Sequence, residues 1–239
     1  MRVIVNGDDL GYTMGVTRGI LAGYNEGILR STTAMMNAKY IEESAELAKE
    51  CPDLGVGLHL NLSLGAPLTE AKTLRDPSTG LFYKGRGEIW KHNPSFEEVG
   101  QEWEAQLQKF KEVFGCMPDH LDSHHSVHDA MPQAKEISLR MSREYNLPLR
   151  RYNHFQYVPD FFGASKPEDL IHIFEKYDGK DIEIMAHPAF VDLDLYLWSS
   201  VSLSRIKELA VLCAPEVKSY VKDHHIEITN YRDAYANSI

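Results

Sequence analysis

Short apolar runs alternate along this chain with longer stretches whose apolar positions recur every three to four residues. Val3-Ile4-Val5 predicts a short buried strand. Val16, Ile20, Leu21, Tyr24 and Ile28 then fall near one face of a helix. The same rhythm predicts strands over 32–36, 55–62, 120–123, 147–152, 181–187 and 226–230. Helices are predicted over 41–49, 131–145 and 202–213. Ser95, with Glu98 three residues on, opens a further helix as a capping box, and Val99, Trp103, Leu107 and Phe110 give it an apolar stripe. Ser165 with Glu168 opens another, ending near Tyr177. Residues 65–94 and 153–163 read as long loops. Strands alternating with helices imply parallel pairing through crossover helices, and about seven such units fit a barrel or a doubly wound sheet.

With 239 residues, no internal repeat and no linker rich in Pro, Gly or Ser, residues 1–239 read as a single domain. Hydrophobic residues make up 43% and charged residues 25%, values of an ordinary globular protein. The net charge of -10 repels a phosphate backbone, which argues against nucleic acid as a partner. No stretch has the roughly 20 apolar residues that a membrane helix needs. The start of the chain lacks the pattern of a signal peptide. Three cysteines, Cys51, Cys116 and Cys213, show no C-x-x-C spacing, which suggests reduced thiols and a cytoplasmic location.

The polar residues of interest gather where the predicted strands end, the edge that lines the site in parallel α/β folds. Asp8 and Asp9 follow the first strand. In the third, Val56, Leu58, Leu60 and Leu62 alternate with Gly57, His59 and Asn61, so His59 and Asn61 share the face opposite the leucines. A buried histidine of this kind is either a ligand or simply hydrogen-bonded. The Asp8-Asp9 pair is either a cation site with a neighbouring base or a helix cap. His124, His125 and His128 form an H-H-x-x-H cluster after the 120–123 strand, suited to a divalent metal or else merely a polar loop. One Asp with two His from three strand ends would leave positions open for water and substrate. His187, before Pro188, has the ordinary pKa of a general acid, although it can equally bond the backbone.

Several segments together resemble the YdjC-like carbohydrate deacetylases, which include chitooligosaccharide deacetylases. They are Val5-Asn6-Gly7-Asp8-Asp9-Leu10-Gly11, Ser31-Thr32-Thr33, Gly57-Leu58-His59, His120-Leu121-Asp122-Ser123-His124-His125-Ser126-Val127-His128, His187-Pro188-Ala189-Phe190 and the closing Tyr231-Arg232-Asp233. The resemblance implies an irregular (β/α) barrel of the glycoside hydrolase/deacetylase type. It implies a divalent metal, usually magnesium, held by Asp9, His59 and His124; two imidazoles also admit zinc. It further implies Asp8 as catalytic base, His187 as acid, and a homodimer. Gly7 and Leu10 stand where the family often has Ala and Phe, and Ser126 where many members have a third consecutive histidine.

The expected function is therefore hydrolysis of N-acetyl groups from small acetylated sugars by metal-activated water. Tyr152, Phe155, Tyr157, Phe161, Phe162, Tyr196 and Trp198 are candidates to stack on sugars, with core or subunit packing the alternative for most. Asn61, Asp122, His125 and His128 are candidate supports of the ligands. Two rival functions remain: a metal-dependent hydrolase of phosphorylated disaccharides, for which the adjacent Arg150 and Arg151 are the only cationic pair of note, and a sugar-binding protein with a structural metal.

Overall fold

The computed structural model describes residues 1–236, and seven parallel strands form one sheet. β1 (Arg2–Leu10) lies at its centre. On one side follow β2 (Ser31–Ala34), β3 (Gly55–Leu60) and β4 (Leu121–Ser123). On the other follow β6 (Ile182–Ala186) and β5 (Gln156–Val158). β7 (Glu227–Thr229) pairs with the first residues of β1, below the stretch that pairs with β2. The sheet curls: Arg150 reaches both Asp122 on β4 and Glu183 on β6, strands that are four apart in the order. The expected strand over 147–152 is reduced to one parallel bridge between Leu121 and Leu149, so the barrel is irregular and incompletely paired there.

β1 is buried along nearly its whole length, as expected of a parallel strand covered on both faces. Leu58, Leu60 and Leu62 are fully buried. So is the stripe Val99, Trp103, Leu107 and Phe110 of α3 (Phe96–Phe114), which packs on β3. The other helices are α1 (Met14–Glu26), α2 (Ile41–Lys49), α4 (Pro132–Tyr145), α5 (Pro167–Lys176), α6 (Leu193–Trp198), α7 (Ser202–Cys213), α8 (Pro215–Asp223) and α9 (Tyr231–Tyr235). α6, α8, α9 and the short β5 are not predicted by periodicity, because segments of three to nine residues offer too few repeats to reveal a face.

Both predicted capping boxes form differently. Ser95 caps α3 through the Glu98 nitrogen, but the Glu98 carboxylate turns to Thr73 and anchors the 65–94 loop instead. At α5 the box shifts by one residue: Asp169, not Glu168, accepts from the nitrogens of Ser165 and Lys166.

Two features of this fold position the strand ends. Asp9 has φ +77, and the β1–β2 register slips between Gly7 and Leu10. This bulge breaks the period of two, so the adjacent side chains of Asp8 and Asp9 both lie in the barrel interior. The second feature is the close approach of α1 to the segment after β6. A β-carbon at Gly19 would lie 2.7 Å from the Ala189 nitrogen and nearer still to its α-carbon. Since Ala189 stands two residues past His187, this contact fixes the end of β6. Replacing a helical glycine by alanine ordinarily stabilises by about 0.5–1 kcal/mol. Gly19→Ala should reverse that sign and destabilise by roughly 1–3 kcal/mol, as overpacking does, measured by urea denaturation.

Candidate metal centre and its charged surroundings

The curl brings the five expected catalytic and metal-binding residues to one place. Asp9 Oδ1 lies 3.2 Å from His59 Nε2 and 2.9 Å from His124 Nδ1. One ligand-type atom from each of the three residues lies within 4.8 Å of the others. Asp8, His59 and Asp122 form a second such cluster, sharing His59. His187 Nε2 stands 4.0 Å from Asp8 Oδ2. The side chains of Asp8, Asp9 and His59 are buried, and those of His124 and His187 keep slight exposure.

Each of these groups is held by a partner. His59 Nδ1 meets Asp122 Oδ1 at 2.5 Å, which leaves Nε2 facing Asp9. Such a carboxylate–imidazole pair fixes the ring and its free nitrogen. Asp8 is clasped by Arg150 Nη1 and Nη2 at 2.8 and 2.9 Å and receives the Asn6 amide at 2.8 Å. Arg150 also meets Asp122 at 2.8 Å and Glu183 at 2.5 Å. Glu183 accepts the Tyr231 hydroxyl, and the Tyr231 ring stacks on His120 beneath the site. Arg205 on α7 donates to Asp9 Oδ2 at 2.6 Å.

The electrostatics follow from burial and these contacts. Burial would raise the Asp9 pKa, but Arg205, His124 and His59 hold the carboxyl well below its ordinary range. Burial would lower His59, yet Asp122, Asp9 and Asp8 push its imidazole up to about 10. His187 is pushed down to about 4 by burial and by Arg205. Burial likewise takes His128 down to about 4, and burial with the His124 charge takes His125 to about 3. Burial raises the Glu208 carboxyl, which accepts from the backbone nitrogens of His187 and Gly163 and so ties both loops together.

The remaining expected residues divide. Asp122 supports His59 directly. Asn61 does not face the cluster: it binds Asn37 and the Leu64 carbonyl and organises the loop after β3. His125 bonds Ser63 and packs against His124, while His128 bonds Ser123. Ser126 lies 3.4 Å from an Arg151 nitrogen. Among the aromatics, Phe155 and Phe161 are buried core residues, and Trp198 packs near Tyr12. Tyr157 lies against both Arg150 and Arg151, and Tyr152 bonds Asp129. Phe162 is half exposed and meets His187 edge-on; Tyr196 is exposed. Hydrophobic periodicity does not single out Arg205, Glu208, Glu183 or Asn6, and it does not place Arg150 at the site. For two of them a signal was present: Arg205 and Glu208 share the buried face of α7 with Leu209 and Leu212, and a charge in an apolar stripe needs a buried partner.

Residues 2–223 match the family model described as YdjC-like protein. The chain is 33% identical to carbohydrate deacetylase 2 of Listeria innocua, covering 98% of both chains. It is 34% identical to the chitooligosaccharide deacetylase of Yersinia enterocolitica, covering 97% of this chain and 98% of that one. A crystal structure of an Enterococcus faecalis protein, described as a candidate cellobiose-phosphate cleavage protein, superposes with a TM-score of 0.90 at 31% identity over 98% of both chains. With the matched segment covering most of its length, this chain belongs to the YdjC-like family.

Proposed function

We propose that this chain is a metal-dependent carbohydrate deacetylase that hydrolyses N-acetyl groups of small amino sugars, with Asp9, His59 and His124 as metal ligands. The observation that carries the reading is the convergence of those three residues beside a carboxylate, Asp8, that faces His187. The names of the Listeria and Yersinia relatives support the substrate class.

The charge of the site supports a cation. Asp8, Asp9, Asp122 and Glu183 are buried around two arginines, Arg150 and Arg205, which leaves two carboxylates in excess once His59 is neutral, as a ligating imidazole must be. A buried surplus of this size is costly unless neutralised. A divalent ion cancels it, and one carboxylate with two imidazoles suits a borderline ion such as zinc while admitting the magnesium implied by the family. When bound, such an ion polarises the acetamide carbonyl and lowers the pKa of water.

Asp8 then receives the proton of the attacking water, its carboxylate held in place by the Arg150 fork and Asn6. His187 supplies the proton that the departing amine requires. With its pKa pushed down to about 4, the imidazole is uncharged at neutral pH and must first take up a proton. Asp8, 4.0 Å away and protonated by the attacking water, is the facing source. Glu208 fixes the His187 backbone, and Phe162 meets the His187 ring edge-on.

The E. faecalis relative's description favours a second reading, cleavage of a phosphorylated disaccharide. Arg150 does not favour it, because its Nε and both Nη atoms are already bound to carboxylates.

Metal-loaded protein incubated with N-acetylglucosamine oligomers should release acetate. Asp8→Ala, His124→Ala and His187→Ala should each lower that rate by at least about 100-fold. Reducing-end or phosphate release without acetate would favour the second reading. Tight metal with no turnover would favour a binding protein.

The charge balance generates a separate expectation for the chelated protein. His125, His128 and His187 titrate at about 3, 4 and 4 when folded, below the roughly 6.5 of an unfolded histidine. Their contribution to stability is present above about pH 6.5 and is lost as pH falls through that window. His59, at about 10, acts oppositely: its contribution is present below about pH 6.5 and is lost as pH rises towards 10. The melting temperature in chelator should therefore peak near pH ~6.5 and fall on both sides. His128→Gln should flatten the acid limb, and saturating zinc should flatten the alkaline one, since a ligating imidazole is neutral. A midpoint constant from pH ~6.5 to ~9 in chelator would contradict the assignment of a charged His59.

A further inference from the structure

Two arginines meet the carboxylates of the site, and they do so in different ways. Arg150 engages its Nε and both Nη atoms, binding Asp8, Asp122 and Glu183. It is a hub that satisfies its whole edge. Arg205 is equally buried, at 3% exposure, but makes one side-chain contact, from Nη2 to Asp9 Oδ2 at 2.6 Å. Its Nε and Nη1 have no hydrogen-bond partner among the described residues. An ion pair built only for stability would be expected to use the planar fork, as Arg150 does.

The two oxygens of Asp9 are thereby separated. Oδ1 faces His124 and His59, at 2.9 and 3.2 Å, while Oδ2 faces the guanidinium. The Asp9 backbone is held in the left-handed region at the β1 bulge, so the carboxylate approaches from a fixed point.

We propose that Arg205 is a positioning residue that confines Asp9 to a single ligating oxygen, Oδ1, and so keeps coordination positions open for water and substrate. This rests on the reading of Asp9, His59 and His124 as metal ligands. A carboxylate can bind a cation through one oxygen or two. Turning Oδ2 towards the cation would break a charge-assisted bond and leave a buried guanidinium with no partner at all, which is heavily penalised. The same positive charge repels the cation, so Arg205 weakens metal binding while sustaining reactivity. Removing an arginine kept only to hold the fold would relieve that repulsion but would leave the coordination number unchanged.

The test uses cobalt(II) as a spectroscopic probe with the full chain carrying Arg205→Met or Arg205→Lys. In Arg205→Met the visible absorption of bound cobalt should weaken and shift as a higher coordination number is reached. The cobalt dissociation constant should fall about tenfold as the repelling charge is removed. The kcat for acetate release should drop about 10–100-fold with KM little changed. Arg205→Lys, which keeps charge and one donor, should retain a native-like spectrum. A native spectrum and affinity in Arg205→Met, or loss of cobalt from a variant that remains folded by circular dichroism, would overturn the proposal. Should Arg205→Met not fold, Arg205→Gln removes the charge with a polar side chain; the same spectral shift supports the proposal and an unchanged spectrum overturns it. If the native protein itself takes up no cobalt, the metal-ligand reading falls and the inference with it. If it does, and the charge-removing variants match it, this inference alone falls.

Discussion

The structure depends on how four buried carboxylates are kept together inside a curled sheet. Like charges at this spacing repel strongly in a dry interior. Arg150 offsets three of them at once, joining Asp122 on β4, Asp8 on β1 and Glu183 on β6. It therefore acts mechanically as well as electrically, drawing non-adjacent strands towards one axis where backbone pairing is incomplete. Arg205 meets the fourth, Asp9, from the helix layer. The surplus that remains is what makes the site receptive to a divalent ion, and in its absence a proton on His59 takes part of that role.

The geometry of the site is a consequence of this arrangement and of one local irregularity. Two consecutive residues on a regular strand point to opposite sides. The bulge at Asp9 breaks that rule and turns two adjacent carboxylates inward, one clasped by Arg150 and one by Arg205. Non-glycine residues at positive φ are costly, and they persist where the surroundings over-determine them. Here both side chains are held at their far ends by guanidinium groups, which supplies that constraint. The result sets one carboxylate beside two imidazoles and its neighbour beside His187.

The helix layer contributes through backbone contacts as much as through packing. Gly19 allows α1 to touch the chain just after β6, and Glu208 on α7 binds the backbone of His187 and Gly163. The histidine and the loop bearing Phe162 are therefore fixed to two helices that touch each other.

The sequence by itself determined a good deal. The apolar runs of β1, β3 and β6 and the stripes of α1, α3 and α7 follow from backbone periods of two and 3.6, which are local properties. The positions of Asp8, Asp9, His59, His124 and His187 at strand ends were legible for the same reason. Only the tertiary structure decided that Asp8 and Asp9 share one side, since the bulge depends on pairing with β2. Only it decided that Glu98 leaves its expected capping role for Thr73 in the facing loop, and that Asp169 takes the capping role expected of Glu168. Arg150 and Arg205 meet Asp8 and Asp9 across 142 and 196 residues of chain. Contacts at that separation leave no periodic trace, because they are fixed by how the sheet curls and not by the conformation of any one segment.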